Sequence, residues 1–182
     1  VQDRAARMAV ELAAPQKGMR ALDACSAPGG KAFAAAIKMQ NEGRVLACDI
    51  HEKKLGLIEN GAKRLGIDII ETAAMDARQC DEELLSAFDL VIADVPCSGL
   101  GVIAKKPEIR AKSEEELAKL PEIQYDILNN LARYVKPGGV LLYSTCTVLR
   151  AENEDIVNRF IAEHGEFELE KIDCCGIRAE SG

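Results

Sequence analysis

The sequence has no apolar run of membrane-spanning length, no Cys-X-X-Cys pair and only two histidines. A membrane helix needs about 20 consecutive apolar residues, and a zinc finger needs closely spaced Cys and His ligands. These absences exclude a membrane-spanning protein and a zinc finger. The chain also lacks internal repeats and low-complexity linkers, and its first residues do not form a signal peptide. We therefore expect a soluble protein of the cytoplasm without a bound metal.

The composition is that of one globular domain. The 182 residues are 48% hydrophobic and 29% charged, close to globular averages, and this length is enough for one sizeable core. Residues 1–182 are therefore expected to form a single, monomeric domain, in which residues 1–18 make a leading helix and a linker. The seven cysteines are an odd number, which favours reduced thiols over a disulfide framework.

The net charge of -7 argues mildly against a nucleic-acid partner. An acidic protein repels phosphates unless its Lys and Arg side chains gather on one face. The most charged segment, residues 105–122, contains Lys105, Lys106, Arg110 and Lys112 in its basic half. A solvated loop and helix face is the simpler interpretation of this segment, and contact with a phosphate backbone is the alternative.

Apolar, β-rich runs alternate with helical stretches along most of the chain. The predicted strands are residues 19–24, 44–49, 67–73, 88–95, 140–145 and 167–172. The predicted helices after the leading one are residues 31–40, 52–65, 81–87, 122–135 and 152–164. Gly66 is expected to end the second of these, and Pro137-Gly138-Gly139 the fourth. Such alternation predicts an α/β protein with a Rossmann-like, mainly parallel sheet and helices on both faces.

Small and acidic residues follow the predicted strands at one edge of the sheet, where open parallel sheets bind ligands. After the first strand, Cys25-Ser26-Ala27-Pro28-Gly29-Gly30-Lys31 forms a turn that opens a helix and offers free N–H groups. Asp49, Asp76 and Asp94 lie at the ends of the next three strands. Each alone is compatible with an ordinary turn or helix cap. Together they predict a nucleoside cofactor, with Asp49 near a ribose hydroxyl and Asp76 near an adenine amino group.

Cys97 and Cys146 each follow one of two successive predicted strands, and Asp94 lies beside the first. A buried structural thiol is the usual role of a single cysteine, but two thiols at one rim can be placed against a bound base. A thiolate that adds to C6 of a cytosine makes C5 nucleophilic. A carboxylic acid at N3 stabilises the electron density, and a second thiol can assist the elimination. One Asp and two Cys therefore match that reaction.

Several motifs resemble those of a known family. They are DACSAPGGK, DVPCSG and STC, with LACDIHEKKLGLIENGAKRLGI, MDAR, GLGVIAKKPEIR, VKPGGVLLYSTCTVL and ENEDIV between and around them. In this order and strand context they resemble the Nol/Sun RNA (cytosine-C5) methyltransferases, and within that family the bacterial enzymes of small-subunit ribosomal RNA. The resemblance covers nearly the whole chain and implies the fold of S-adenosylmethionine-dependent methyltransferases.

The resemblance implies a catalytic role for four residues. Cys146 is the expected nucleophile on C6, and Cys97 is expected to assist release of the methylated product. Asp94 is expected to hold the cytosine edge and border the methyl donor, and Lys31 to lie close to the reacting centre. The substrate implied is RNA, most simply 16S ribosomal RNA, with a single-stranded or flipped cytosine.

The resemblance also implies the cofactor and its site. S-adenosylmethionine is expected to lie across residues 25–31, with Asp49 on its ribose, Asp76 near its adenine and Asp94 beside it. The family's amino-terminal RNA-binding domain and final antiparallel strand are not recognisable here, so we expect weak RNA binding by this chain alone. Two alternatives stay open: a cofactor-binding module without activity, and a methyltransferase of another RNA such as tRNA. A DNA enzyme is disfavoured, because those enzymes use a single Pro-Cys nucleophile.

Overall fold

The computed structural model describes residues 4–102 and 113–170, which contain one sheet of five parallel strands. The strands are β1 (Arg20–Asp23), β2 (Arg44–Asp49), β3 (Ile70–Ala74), β4 (Phe88–Asp94) and β5 (Val135–Ser144). Their order across the sheet is β3-β2-β1-β4-β5. The chain first winds outward from β1 to β3 and then returns to the other side of β1. The switch point therefore lies between β1 and β4, where α/β proteins of this type bind ligands.

Helices cover both faces of this sheet. The helices in the described residues are α1 (Arg4–Leu12), α2 (Gly30–Lys38), α3 (Leu55–Leu65), α4 (Glu114–Ala118), α5 (Leu120–Ala132) and α6 (Glu154–Glu163). Side chains of α1, α2 and α3 share one apolar core, and those of α5 and α6 share the other. Alternate residues of β4 enter opposite cores, Leu90 on one side and Val91 on the other. The predicted Rossmann-like fold is confirmed.

The Ala-rich sequence of α2 sets how closely this helix approaches the sheet. Ala32, Ala35 and Ala36 are completely buried against the strands, and their small side chains bring the helix backbone near β1. The glycine that ends α3 was also predicted: Gly66 has a left-handed φ of 66°, a conformation that costs glycine little.

The predicted helix terminator Pro137-Gly138-Gly139 is wrong, because these residues lie inside β5. Phe88 pairs with Val135, whereas Leu90, two residues further along β4, pairs with Val140. The extra residues of β5 form a bulge, which accommodates a proline that cannot donate to the ladder and a glycine with positive φ. A local pattern that favours a turn is thus part of a strand here.

Three other predictions differ from the structure or lie partly outside it. Residues 81–87 form only a single 3-10 turn, at Glu82–Leu84. Of the predicted sixth strand, residues 167–170 are not in a strand, and residues 171–172 lie outside the described part of the chain. The described strands are all parallel. The basic residues of segment 105–112 also lie outside the described ranges. Within residues 4–102 and 113–170, no helix has the length and apolar character needed to cross a membrane.

Candidate active site

A cavity of about 1090 Å³ opens at the carboxyl edge of the sheet. Every predicted site residue except Gly29 lines it: Cys25, Ser26, Ala27, Pro28, Gly30, Lys31, Asp49, Asp76, Asp94, Cys97 and Cys146. The strand order explains this convergence, since the ends of β1, β2, β4 and β5 meet around the switch point. Residues spread over most of the chain therefore share one space.

The loop after β1, residues 24–30, turns tightly across one wall of the cavity. The Ser26 N–H donates to the Cys48 carbonyl at 2.7 Å, and the Gly29 N–H donates to the Ser26 carbonyl at 2.6 Å. Gly29 caps α2 with a left-handed φ of 104°, and a side chain there would collide with the Phe33 ring. The loop thus brings the cavity against the amino end of α2, where the helix dipole favours polar or anionic ligand groups.

Asp49 and Asp76 lie on the same side of the cavity, but their surroundings differ. The Asp49 carboxylate accepts from the His51 N–H at 2.9 Å and lies 3.6 Å from Lys54 Nζ. Asp76 accepts from Arg78 Nε at 3.0 Å and Nη2 at 2.7 Å. These hydrogen bonds from Arg78 lower the pKa of Asp76. Both carboxylates are therefore held in place by neighbouring residues of their own loops.

Asp94, at the end of β4, forms an ion pair with Lys31. Lys31 Nζ lies 2.6 Å from Asp94 Oδ2, and the Ser144 hydroxyl donates to Asp94 Oδ1 at 2.8 Å. The Lys31 side chain is only 11% exposed, whereas that of Asp94 is 35% exposed. The structure therefore fixes the carboxylate through residues from α2 and β5 and leaves part of it open to the cavity.

Cys97 and Cys146 lie in contact at the rim of the cavity. Their Sγ atoms are 2.8 Å apart, and the Cys146 N–H donates to Cys97 Sγ at 3.2 Å. Cys97 is buried, whereas Cys146 is exposed. The hydrogen bond to Cys146, together with burial, raises the pKa of Cys97, so Cys97 is held as a neutral thiol. Both residues line the cavity, and Cys146 is the more accessible of the two.

Cys25 is half-buried on the cavity wall, and Cys48 is completely buried in the core. Burial raises the pKa of each of these thiols to about 12. They therefore hold their protons at neutral pH and are weak nucleophiles. Within the described residues, no cluster of three or more His, Cys, Asp and Glu side chains is arranged to hold a metal ion.

Comparison with known proteins identifies the family to which these features belong. Residues 10–181 match the family model described as 16S rRNA methyltransferase RsmB/F. The chain belongs to this family. It is 43% identical over 170 residues to the probable ribosomal RNA small subunit methyltransferase B of Bacillus subtilis, a match that covers 92% of this chain and 38% of the relative. The chain thus spans well under half the length of that relative.

Solved structures share the RsmB/F fold seen here. The crystal structure of PH0851 superimposes with a TM-score of 0.86 at 35% identity, covering 90% of this chain and 38% of the other. NSun6 from Pyrococcus horikoshii, solved with SFG, has a TM-score of 0.79 at 28% identity, covering 89% of this chain and 41% of the other. The sheet and its helices are therefore those of the S-adenosylmethionine-dependent methyltransferase fold.

Sequence reasoning missed one acidic residue in this RsmB/F family member. Asp23, the last residue of β1, is 1% exposed, and its carboxylate lies near the Ser26 hydroxyl and the Ala32 N–H without a hydrogen bond of normal geometry within the described residues. Burial raises the pKa of Asp23 to about 7, and the nearby negative charge of Asp94 adds to the shift. The available signal was an acid that ends a central, otherwise apolar strand directly before the glycine loop.

Proposed function

We propose that this chain transfers a methyl group from S-adenosylmethionine to C5 of a cytosine in RNA, through a covalent bond between Cys146 and C6. Small-subunit ribosomal RNA is the proposed substrate, in agreement with the family and with the relative from Bacillus subtilis. The observation that carries the proposal is the contact of two thiols, 2.8 Å apart, beside Asp94 on the rim of one cavity.

The residues around the glycine loop fit the cofactor. The amino end of α2 and the carboxylates of Asp49 and Asp76 line one cavity, a set of donors and acceptors that suits the polar groups of a nucleoside. Asp49 would hold the ribose hydroxyls, and Asp76, anchored by Arg78, would orient the adenine. When bound, S-adenosylmethionine supplies an electrophilic methyl group. SFG, an analogue of this cofactor, accompanies the related NSun6 structure.

Cys146 would make the first bond to the substrate. Its thiolate adds to C6 of the cytosine, a new S–C6 bond forms, and the electron pair of the C5–C6 double bond moves into the ring. C5 then carries the nucleophilic character needed to accept a methyl group. The exposed position of Cys146 allows a flipped base to approach its sulfur.

Asp94 and Lys31 would hold the base during this addition. The Asp94 carboxylate is partly open to the cavity, and Lys31 Nζ lies 2.6 Å from its Oδ2 atom. A carboxyl group at the base edge accepts from the amino group or shares a proton with N3, which stabilises the electron density that develops there. The ammonium group of Lys31 orients that carboxyl and is positioned close to the reacting centre.

Cys97 would act in the release of the product. After methylation C5 must lose its proton, the C5–C6 double bond must form again, and the S–C6 bond must break. We expect Cys97 to assist as a positioning group or as a general base, the latter only after its own proton has passed to the departing sulfur. Its raised pKa favours the thiol form, so its S–H can also donate to the departing sulfur of Cys146, 2.8 Å away.

Incubation of the chain with small-subunit ribosomal RNA and methyl-labelled S-adenosylmethionine tests this function. At RNA concentrations of roughly 10–100 µM, which offset weak binding, nucleoside mass spectrometry should find labelled 5-methylcytosine. Cys146→Ala should give none, and Cys80→Ala, which changes an exposed thiol outside the cavity, should label as the wild type does. Label in tRNA alone would identify the other RNA substrate. Cofactor binding in calorimetry without label in either RNA would favour the inactive module and overturn the proposal.

A further inference from the structure

A buried carboxylate lies beneath the two thiol-bearing loops. Glu152 is 2% exposed and ends a 3-10 turn, Arg150–Glu152, directly before α6. Within the described residues, no Lys, Arg or His side chain forms an ion pair with it. Burial of a carboxylate without a cation is unfavourable unless hydrogen bonds compensate. The hydrogen bonds of Glu152 must therefore compensate its burial.

The Glu152 side chain and its hydrogen-bond partner Gln124 hold the residues on both sides of Cys97. Its Oε2 atom accepts from the Ser98 N–H at 2.9 Å and from Gln124 Nε2 at 2.7 Å. The same Gln124 amide donates to the Pro96 carbonyl at 3.0 Å. Gln124 is completely buried on α5. The loop that carries Cys97 is thus fastened to α5 and to the turn before α6 through one carboxylate oxygen.

The next residue, Asn153, holds the residues on both sides of Cys146. Its Oδ1 atom accepts from the Thr145 hydroxyl at 2.6 Å, and its Nδ2 atom donates to the Thr147 carbonyl at 3.2 Å. The Thr147 hydroxyl lies 2.6 Å from the Ser98 hydroxyl. Two consecutive residues of the ENEDIV motif therefore hold the two loops, and the loops also contact each other.

We infer that Glu152 and Asn153 are positioning residues that set the separation of the Cys97 and Cys146 thiols. We call Gln124, Glu152 and Asn153 the thiol bracket. Neither Glu152 nor Asn153 is among the residues that line the cavity, so the bracket acts through the two loops. The inference deepens the proposed function and rests on it for its catalytic consequence, but the geometric claim can be tested without RNA.

Oxidation by diamide reports how readily the two thiols come within disulfide distance. Cys97 and Cys146 lose two hydrogen atoms and form a disulfide, while diamide is reduced to the hydrazine. The experiment uses chains in which Cys80, Cys174 and Cys175 are replaced by Ser, and mass spectrometry follows the cross-linked peptide. Glu152→Ala should slow disulfide formation by about tenfold or more, because Ser98 N–H and Gln124 lose their shared acceptor. Asn153→Ala, on a partly exposed turn, should slow disulfide formation similarly. It replaces Glu152→Ala in the test if that variant does not fold.

Two further variants separate positioning from general destabilisation. Glu152→Gln keeps an oxygen that can accept both hydrogen bonds and should restore most of the wild-type oxidation rate. Glu154→Gln, a charge change at an exposed neighbour on α6, should leave the rate unchanged. Protection of the buried Cys48 from alkylation reports that each variant is folded. Wild-type oxidation rates in both Glu152→Ala and Asn153→Ala would overturn the inference.

The kinetic readout connects the bracket to catalysis. In Glu152→Ala, kcat for RNA methylation should fall by about tenfold or more while KM for S-adenosylmethionine stays within about twofold. Glu152→Gln should recover most of that loss. Slow oxidation in Glu152→Ala, combined with no cytosine methylation by the wild type, would leave the bracket established and refute the proposed function. A fall in kcat with a wild-type oxidation rate would refute the bracket alone.

Discussion

Asp23 shows how burial of one carboxyl group makes stability depend on pH. Its pKa in the folded chain is about 7, against an ordinary value of 3.8. Between these two pH values the folded state holds a proton that the unfolded state has lost. The stabilisation that this proton provides is therefore complete below about pH 4 and is lost as the pH rises through about 7.

Asp23→Asn should remove this titration. Because the wild type loses about 1.4 kcal/mol per pH unit in that interval, the variant should gain about 2 kcal/mol in free energy of unfolding, relative to the wild type, between about pH 5.5 and about pH 8. Urea unfolding at both pH values measures the difference. Asp126→Asn, the same exchange at an exposed position on α5, is the control. Parallel pH dependence of Asp23→Asn and the wild type would contradict the shifted pKa.

The two cysteines should give opposite phenotypes, although their sulfur atoms are in contact. Cys97→Ala keeps the proposed nucleophile, Cys146, but loses the thiol proposed to assist release. It should therefore accumulate an RNA–protein adduct that survives denaturing electrophoresis, with product formation reduced about 100-fold. Cys146→Ala and the double variant should form no adduct. Fast turnover by Cys97→Ala without an adduct would exclude a role for Cys97 in release.

At the scale of elements, the start of α2 links backbone conformation to the cofactor site. Gly29 and Gly18 both have positive φ, 104° and 81°, but a side chain at Gly18 would meet no atom within 4 Å. Alanine at either position should cost about 1 kcal/mol of stability, because left-handed backbone is unfavourable for a residue with Cβ. Only at Gly29 would the side chain also displace the Phe33 ring beneath the loop.

Gly29→Ala should therefore weaken S-adenosylmethionine binding by about tenfold, whereas Gly18→Ala should not. Calorimetry measures the two dissociation constants, and urea unfolding should show that both variants fold, with the larger loss of stability in Gly29→Ala. Equal cofactor affinity in the two variants would mean that the loop adapts to a side chain at position 29. In that case the conformation of Gly29 would not contribute to the site.

At the scale of the whole molecule, net charge limits what the chain can bind alone. With a net charge of -7, long-range electrostatics oppose approach to a polyanion, and few counterions are released on contact. We expect a Kd for ribosomal RNA fragments weaker than about 1 µM at about 0.15 M salt, with a shallow salt dependence. Fluorescence anisotropy across a salt series, with heparin as competitor, measures both quantities. Submicromolar affinity at that salt concentration would show that the Lys and Arg residues form a basic face.

The sequence predicted more of the fold and the site than of the contacts that hold them together. The alternation of strands and helices, and the acids at strand ends, could be recognised because they depend on residues close in the chain. The bulge of β5 at Pro137-Gly138-Gly139 could not, because its local pattern is that of a turn and its pairing depends on β4. Glu152 could not be recognised either, since an acid in a polar motif gives no sign that it will be buried beneath Ser98.

By itself, the sequence determined the α/β class, the glycine loop after β1 and the set of residues able to do thiol and carboxylate chemistry. The tertiary structure alone decided that the sulfur atoms of Cys97 and Cys146 lie 2.8 Å apart, that one is buried and the other exposed, and that Asp23 is enclosed. The reason is physical: local patterns follow from short-range backbone and side-chain preferences. The distance between the two sulfur atoms and the burial of Asp23 follow from strand order and from how the helices pack on each face of the sheet.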